Sequence, residues 1–278
     1  MARVGYNVAM RQELPPLRTF FRQESGWLIG VAAVTLAVIV GVYALGRWGG
    51  VGERNATVAA MVAAAVWLAV AGPALAASSG EFVRQLLRAG TAADGALLAL
   101  WAIVAASRGD GTLTFWGACK VYVTLAAMAV AAVCVVRLAR GLWARQAAAL
   151  ACSAVMLALL ATPLWTGGLI AATSAARQDN ANHWRDRVTT AAAWANPVYA
   201  VAAATAGELH YAPHQSDYIY TAELTLIGDY ATPTPTPWPA AAIGLAGVSG
   251  ACMVIRAVRR KPLVSHARPF AESRLVVP

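Results

Sequence analysis

Long stretches of this chain carry no charge at all, and that feature decides what it can fold into. Ser25 to Gly46 is 22 residues without Asp, Glu, Lys or Arg, and it contains WLIGVAAVTLAVIVGVYALG. Asn55–Gly80 and Tyr230–Ile255 are 26 such residues each, and Gln146–Ala176 is 31. A helix that crosses the hydrocarbon core of a bilayer needs about 20 mostly apolar residues. Two further windows are interrupted once, Ala89–Ser107 by Asp94 and Phe115–Val136 by Lys120. Both charges are expected near helix ends, where a long side chain snorkels or an acid caps. Thr91-Ala-Ala-Asp94 fits the capping-box pattern of a helix start. The windows together predict an all-α, polytopic membrane helix bundle with six transmembrane helices.

Composition agrees. Apolar residues make up 59% of the 278 and charged ones 13%, whereas soluble chains run at roughly 45–50% and about 25%. A soluble enzyme, a disordered chain and a nucleic-acid-binding module are excluded as leading readings. The net charge of +9 then reads as the excess of Arg and Lys that membrane proteins keep on the cytoplasmic side. With six spans and both termini inside, inner segments hold 15 of the 22 basic residues and outer ones hold 7. Four acids lie inside and eight outside, with Asp94 in a span. The basic tail, with Arg256, Arg259, Arg260, Lys261, Arg268 and Arg274 against Glu272, fixes the C-terminus inside as well.

A seventh window, Val188–Gly207, is uncharged over 20 residues but is broken by Asn196-Pro197. It is expected as a re-entrant or interfacial pair of short helices on the outer side, where protein or water covers the break. The organisation that follows is a cytosolic N-terminus over 1–26, transmembrane helices one to five over 27–163, and an extracytoplasmic segment over 164–236. The last span, 237–256, and a basic cytosolic tail, 257–278, close the chain. TPTPTPW at 232–238 favours an extended strut leading into the last span.

Two amphipathic stretches lie beside the spans. In LPPLRTFFRQESGW, Leu17, Phe20 and Phe21 gather with Leu14 on one face at helical spacing, and Arg18 and Arg22 lie on another. This is expected as a helix lying in the inner interface, in contact with the lipid bilayer. In GEFVRQLLRAG between spans two and three, Phe82, Val83, Leu86 and Leu87 share one side. Glu81, Arg84, Gln85 and Arg88 share the other. Such a helix either floats at the headgroups or docks a cytosolic partner.

Catalytic chemistry is not legible. Cys119, Cys134, Cys152 and Cys252 show no CxxC spacing and suit small buried hydrophobes. His210 and His214 are four apart, but Pro213 stands between them and no metal-site context accompanies them. The four histidines lie outside the spans, which removes bis-His haem within the bundle. No span is expected to hold an acid near its midpoint, so a proton relay lacks carriers. GxSxG, HExxH and Walker-type loops are absent from the sequence. Neither an enzyme nor a catalytic, metal or cofactor site is expected.

The layout resembles the membrane (permease) subunits of ABC-type exporters of the six-span class. Those subunits begin with an amphipathic elbow helix, which LPPLRTFFRQESGW matches, and place a coupling helix after span two, then a short break and span three, as in GEFVRQLLRAGTAADGALLAL. An outer segment with re-entrant helices separates their last two spans, and ANPVYAVAAA at 195–204 carries a similar Asn-Pro. Many members have an acid-rich stretch ending in Gly-Thr-Leu in the first inner loop, where this chain has Gly80-Glu81. The resemblance implies a translocation path formed with a second membrane subunit, as a homo- or heterodimer. It also implies a separate cytosolic ATP-binding subunit contacted by Glu81, Phe82, Arg84, Leu87 and Arg88, in a bacterial cytoplasmic (inner) membrane. The competing reading is a non-transporting anchor or scaffold subunit of a larger membrane complex.

Overall fold

The computed structural model describes residues 17–107, 113–161, 196–197, 201 and 239–260. Among these, six helices run in order: α1 (Leu17–Trp48), α2 (Glu53–Ala77), α3 (Phe82–Ala106), α4 (Phe115–Ala139), α5 (Arg145–Leu160) and α6 (Pro239–Arg260). No strand occurs among the described residues. Five helices, all but α5, are long and apolar enough to cross a membrane. Among the described residues the expected all-helical bundle, with helices apolar enough to cross a membrane, is therefore present. The 16 residues of α5 reach about 24 Å, short of a hydrocarbon core of about 30 Å.

The centre of the bundle is α2, α3 and α4, which pack on one another; α1 lies against α2 and α3, α5 against α2, and α6 against α4. The core is made largely of alanine. Ala60, Ala64, Ala65, Ala92, Ala96, Ala99 and Ala132 are wholly buried, with Leu68, Leu100, Leu125 and Val133 between them. Lipid tails are as apolar as leucine, so helix association in a membrane gains from close backbone approach rather than from bulky burial. This gives the chain's alanine bias a packing role. Larger apolar side chains such as Ile29, Leu45, Leu150, Ile243 and Val254 face outward. Between α1 and α2 the Trp67 indole N–H donates to Thr35 Oγ1 at 2.9 Å, and Thr35 is fully buried.

The turns follow from local chemistry. After α1, Gly50 sits at φ +80°. The Val51 N–H donates to Gly46 O at 2.9 Å and the Gly50 N–H to Arg47 O at 3.2 Å. This is the Schellman ending, which requires a left-handed residue and so a glycine. Thr114 caps α4 by accepting from the Gly117 N–H at 2.9 Å.

Two sequence expectations change here. The N-terminal stretch is not a separate element, because α1 is unbroken from Leu17 to Trp48. The side chains of Leu17, Arg18, Phe20, Phe21 and Arg22, and so their interfacial role, lie outside the described residues. Nor does a break separate residues 82–88 from the third span. Thr91 Oγ1 donates back to Leu87 O at 2.7 Å, so Thr91 is mid-helix and caps nothing.

Within residues 164–236, Asn196 and Val201 are both buried, at 0% and 1% exposure. The Asn196 side-chain amide donates to Leu160 O at 3.0 Å, satisfying a carbonyl that the end of α5 leaves without an intrahelical partner. The Asn-Pro break thus closes the C-terminus of α5. Asn196→Ala strands that carbonyl, and thermal unfolding in detergent is expected to show a loss of about 1–3 kcal/mol. An unchanged midpoint would mean that the carbonyl finds another donor. The remainder of 188–207, whether re-entrant or interfacial, and the TPTPTPW strut lie outside the described residues.

Candidate functional site

Five segments bring their polar residues to one end of the bundle: the start of α1, the α2–α3 turn, the start of α3, the end of α4 and the end of α6. The N-terminal end of α1 and the C-terminal end of α6 accordingly share that end. The polar side chains there are linked to one another.

Glu24, on α1, is 6% exposed. Arg88, on α3, grips it with two guanidinium nitrogens: Nη2 donates to Oε2 at 2.8 Å, and Nε to the same oxygen at 3.0 Å. Nη2 also reaches Oε1 at 3.2 Å, and Nη1 donates to Ser78 Oγ at 2.8 Å. The guanidinium lies over the Trp27 ring at 4.4 Å. Arg84 adds a second cation, with Nε 3.6 Å from Glu24 and 3.2 Å from Glu81. Charge-assisted bonds of this kind are about twice as strong as neutral ones, and the planar fork of Arg suits a carboxylate.

Gln85, one turn away, is fully buried. Its amide nitrogen donates to Ala76 O at 2.6 Å and Ser79 O at 2.7 Å, holding the unwound end of α2. Its oxygen accepts from Arg137 Nη1 of α4 at 3.1 Å. Arg137 lies over the Phe82 ring at 4.9 Å, and its own carbonyl accepts from Arg256 Nη1 of α6 at 3.0 Å. Arg140 Nη1 donates to Ser79 O at 2.9 Å. Hydrogen bonds and ion pairs thus connect α1 to α3, and α3 through Gln85 to α2, α4 and α6.

The structure brings the five residues expected to couple to a partner into this end of the bundle, but with the helix turned. Glu81 is exposed at the N-cap of α3, and Phe82 is half-buried beneath Arg137. Arg84 and Arg88 are drawn onto Glu24, and Leu87 is half-buried. The polar side of the wheel points inward at Gln85, whereas Val83, on the apolar side, is 61% exposed. A hydrophobic wheel assigns polar residues to water; here buried polar partners reverse the assignment. Glu24, Gln85, Arg137 and the Ser79 carbonyl were missed. The available signal was an acid directly abutting the first charge-free window, opposite the arginines that begin the third span.

Asp94 also departs from expectation. It lies at the middle of the 25-residue α3, with 12 residues on either side, and not at a helix end. Tyr122 of α4 donates its hydroxyl to Asp94 Oδ1 at 2.8 Å. The α3 helix therefore carries an acid at its middle, and a phenol from the neighbouring helix hydrogen-bonds it there.

Three of the four cysteines, Cys134, Cys152 and Cys252, are buried free thiols. Among the described residues no three His, Cys, Asp or Glu side chains gather as a metal site requires. His183, His210 and His214 lie outside the described residues. Comparison with family models, curated proteins and solved structures gives no match to this chain.

Proposed function

We propose that this chain is the membrane-spanning subunit of an ATP-driven exporter, working with a second membrane subunit and a separate cytosolic ATPase in a bacterial inner membrane. ATP hydrolysis belongs to the partner. The observation that carries the reading is the connectivity around residues 81–88. Glu81 and Val83 stand exposed at the tip, while Arg88 and Gln85, within two turns, hold α1, the end of α2 and α4. A push on the tip is therefore delivered to several spans at once, which is what a coupling element must do. In this reading the polar lock carries the movement, and the exposed tip meets the ATPase.

The test is purification of the tagged full-length protein from its native membrane in mild detergent, with mass spectrometry of what accompanies it. An ATP-binding subunit is expected to co-purify. Val83→Glu, an exposed change that leaves the lock intact, is expected to release that subunit without lowering the thermal midpoint of the chain. A stable extracytoplasmic or redox partner with no ATPase would overturn the export reading in favour of a membrane anchor.

A further inference from the structure

The Asp94 carboxylate lies on the outside of the bundle. It is exposed, with Tyr122 holding it from one side, at the middle of a helix long and apolar enough to cross a membrane. With α3 across a bilayer, that is the centre of the hydrocarbon core. Ionisable groups at such a depth are costly, and they almost always turn inward or meet a polar partner. Its neighbours on the helix leave it open. Leu98, one turn on, is exposed, and among the described residues a side chain added at Gly90, one turn before, would meet nothing within 4 Å. Gly90, Asp94 and Leu98 form an i, i+4 ridge of the kind that packs against another helix.

The register of α4 supplies a matching group. Trp101 meets Phe115 edge-on with ring centres 6.4 Å apart, and seven residues along each helix, in opposite directions, Asp94 meets Tyr122. Asp94 and Tyr122 are therefore level in an antiparallel pair. Lys120 is two residues from Tyr122, which is about 3 Å along the axis and about 200° around it. Tyr122 turns to α3, so Lys120, partly exposed, stands at the opposite edge of the outward face of α4. Between the two edges Trp116, Val123 and Val130 are exposed. The face thus has an acid at one edge, a base at the other at nearly the same depth, and an apolar strip between.

A two-fold rotation about an axis along the membrane normal lays each edge of such a face on the opposite edge of its copy. We propose that the outward face of α4, flanked by Asp94 and Lys120, is the interface on which two copies of this chain associate, the Lys120 of each copy pairing with the Asp94 of the other. The four-carbon stem of lysine spans the difference in depth. Both pairs form at once, and the apolar strips meet along the axis. The interface needs no ATPase, so it stands or falls apart from the export reading.

Cys119 is a built-in reporter. It is partly exposed, three residues after Trp116 and four before Val123, whereas Cys134, Cys152 and Cys252 are buried. Membranes holding the full-length protein are treated with copper phenanthroline and run on non-reducing gels. A disulfide-linked dimer is expected, and it should vanish in Cys119→Ala. Val123→Cys in that background should restore it. Asp94→Asn, which keeps an acceptor for Tyr122, and Lys120→Met are each expected to weaken association in detergent dilution by about 10- to 100-fold, because each removes both ion pairs. Asp94→Lys combined with Lys120→Asp should recover it. No dimer through either cysteine, a cross-link to a different protein instead, or association unmoved by Asp94→Asn and Lys120→Met would overturn the interface.

Discussion

Gly95→Val is expected to separate the first helix from the third. A side chain built at Gly95 would begin 2.9 Å from the Ala32 carbonyl oxygen, 3.0 Å from Ala32 Cα and 3.1 Å from Thr35 Cβ. Two of those atoms are backbone, so no rotamer change relieves the contact and α1 itself must move. Even Gly95→Ala, which gains about 1 kcal/mol in helix propensity, must absorb an overpacking cost of about 1–3 kcal/mol. It should lower the unfolding midpoint, and valine should lower it much further. Movement of α1 would also strain the Trp67–Thr35 hydrogen bond. Gly90, five residues earlier on the same helix, has nothing within 4 Å. Gly90→Ala is therefore expected to be neutral or stabilising by up to about 1 kcal/mol. Equal effects at the two glycines in a detergent unfolding titration would refute the close α1–α3 crossing.

Loss of the Glu24 carboxylate is the second large effect. Glu24 and Arg88 side chains are only 8% and 14% exposed. Removing one partner of such a pair leaves the other charge buried, at a cost of about 3–5 kcal/mol. Glu24→Ala should approach that range, the Ser78 and Trp27 contacts of Arg88 moderating it. Arg88→Lys should fall short of wild type, since an ammonium cannot hold both carboxylate oxygens as the fork does. A double-mutant cycle of Glu24→Ala and Arg88→Ala reads the coupling directly. The double variant should lose clearly less than the sum of the two single losses, and strict additivity would mean that the pair contributes nothing as a pair.

These residues show where sequence reasoning reaches and where it stops. The spans were legible because exclusion of charge over 20 or more residues is a local, linear signal set by bilayer thickness. Small residues such as Gly41, Gly72, Gly117 and Gly244 allow close helix approach. The structure places Gly72 at 3.6 Å from Ala132 Cβ, but finds open space around Gly41 and Gly244. The tightest approach, at Gly95, carries no mark in an Ala- and Gly-rich chain, because it depends on which turn of α1 crosses there. The wheel of residues 82–88 failed for a related reason. Gln85 is buried because the end of α2, folded back across the turn, and Arg137, 52 residues away, converge on it, and the wheel of one helix contains neither.

The Thr91–Asp94 motif misled by being local. Capping-box residues start a helix only where the backbone is free to begin one, and here the preceding turns were already fixed by Gln85 and Arg88. The sequence alone determined that the described part of this chain is helical and that five of its apolar windows form helices able to cross a membrane, because charge and hydropathy act residue by residue against a solvent of fixed thickness. The tertiary structure alone decided that α3 runs unbroken from the lock through Asp94, that Glu24 joins Arg88 across the bundle, and that Tyr122 meets Asp94. Those are pairings between residues dozens of positions apart, and a charge finds its partner only once the helices that carry both have packed.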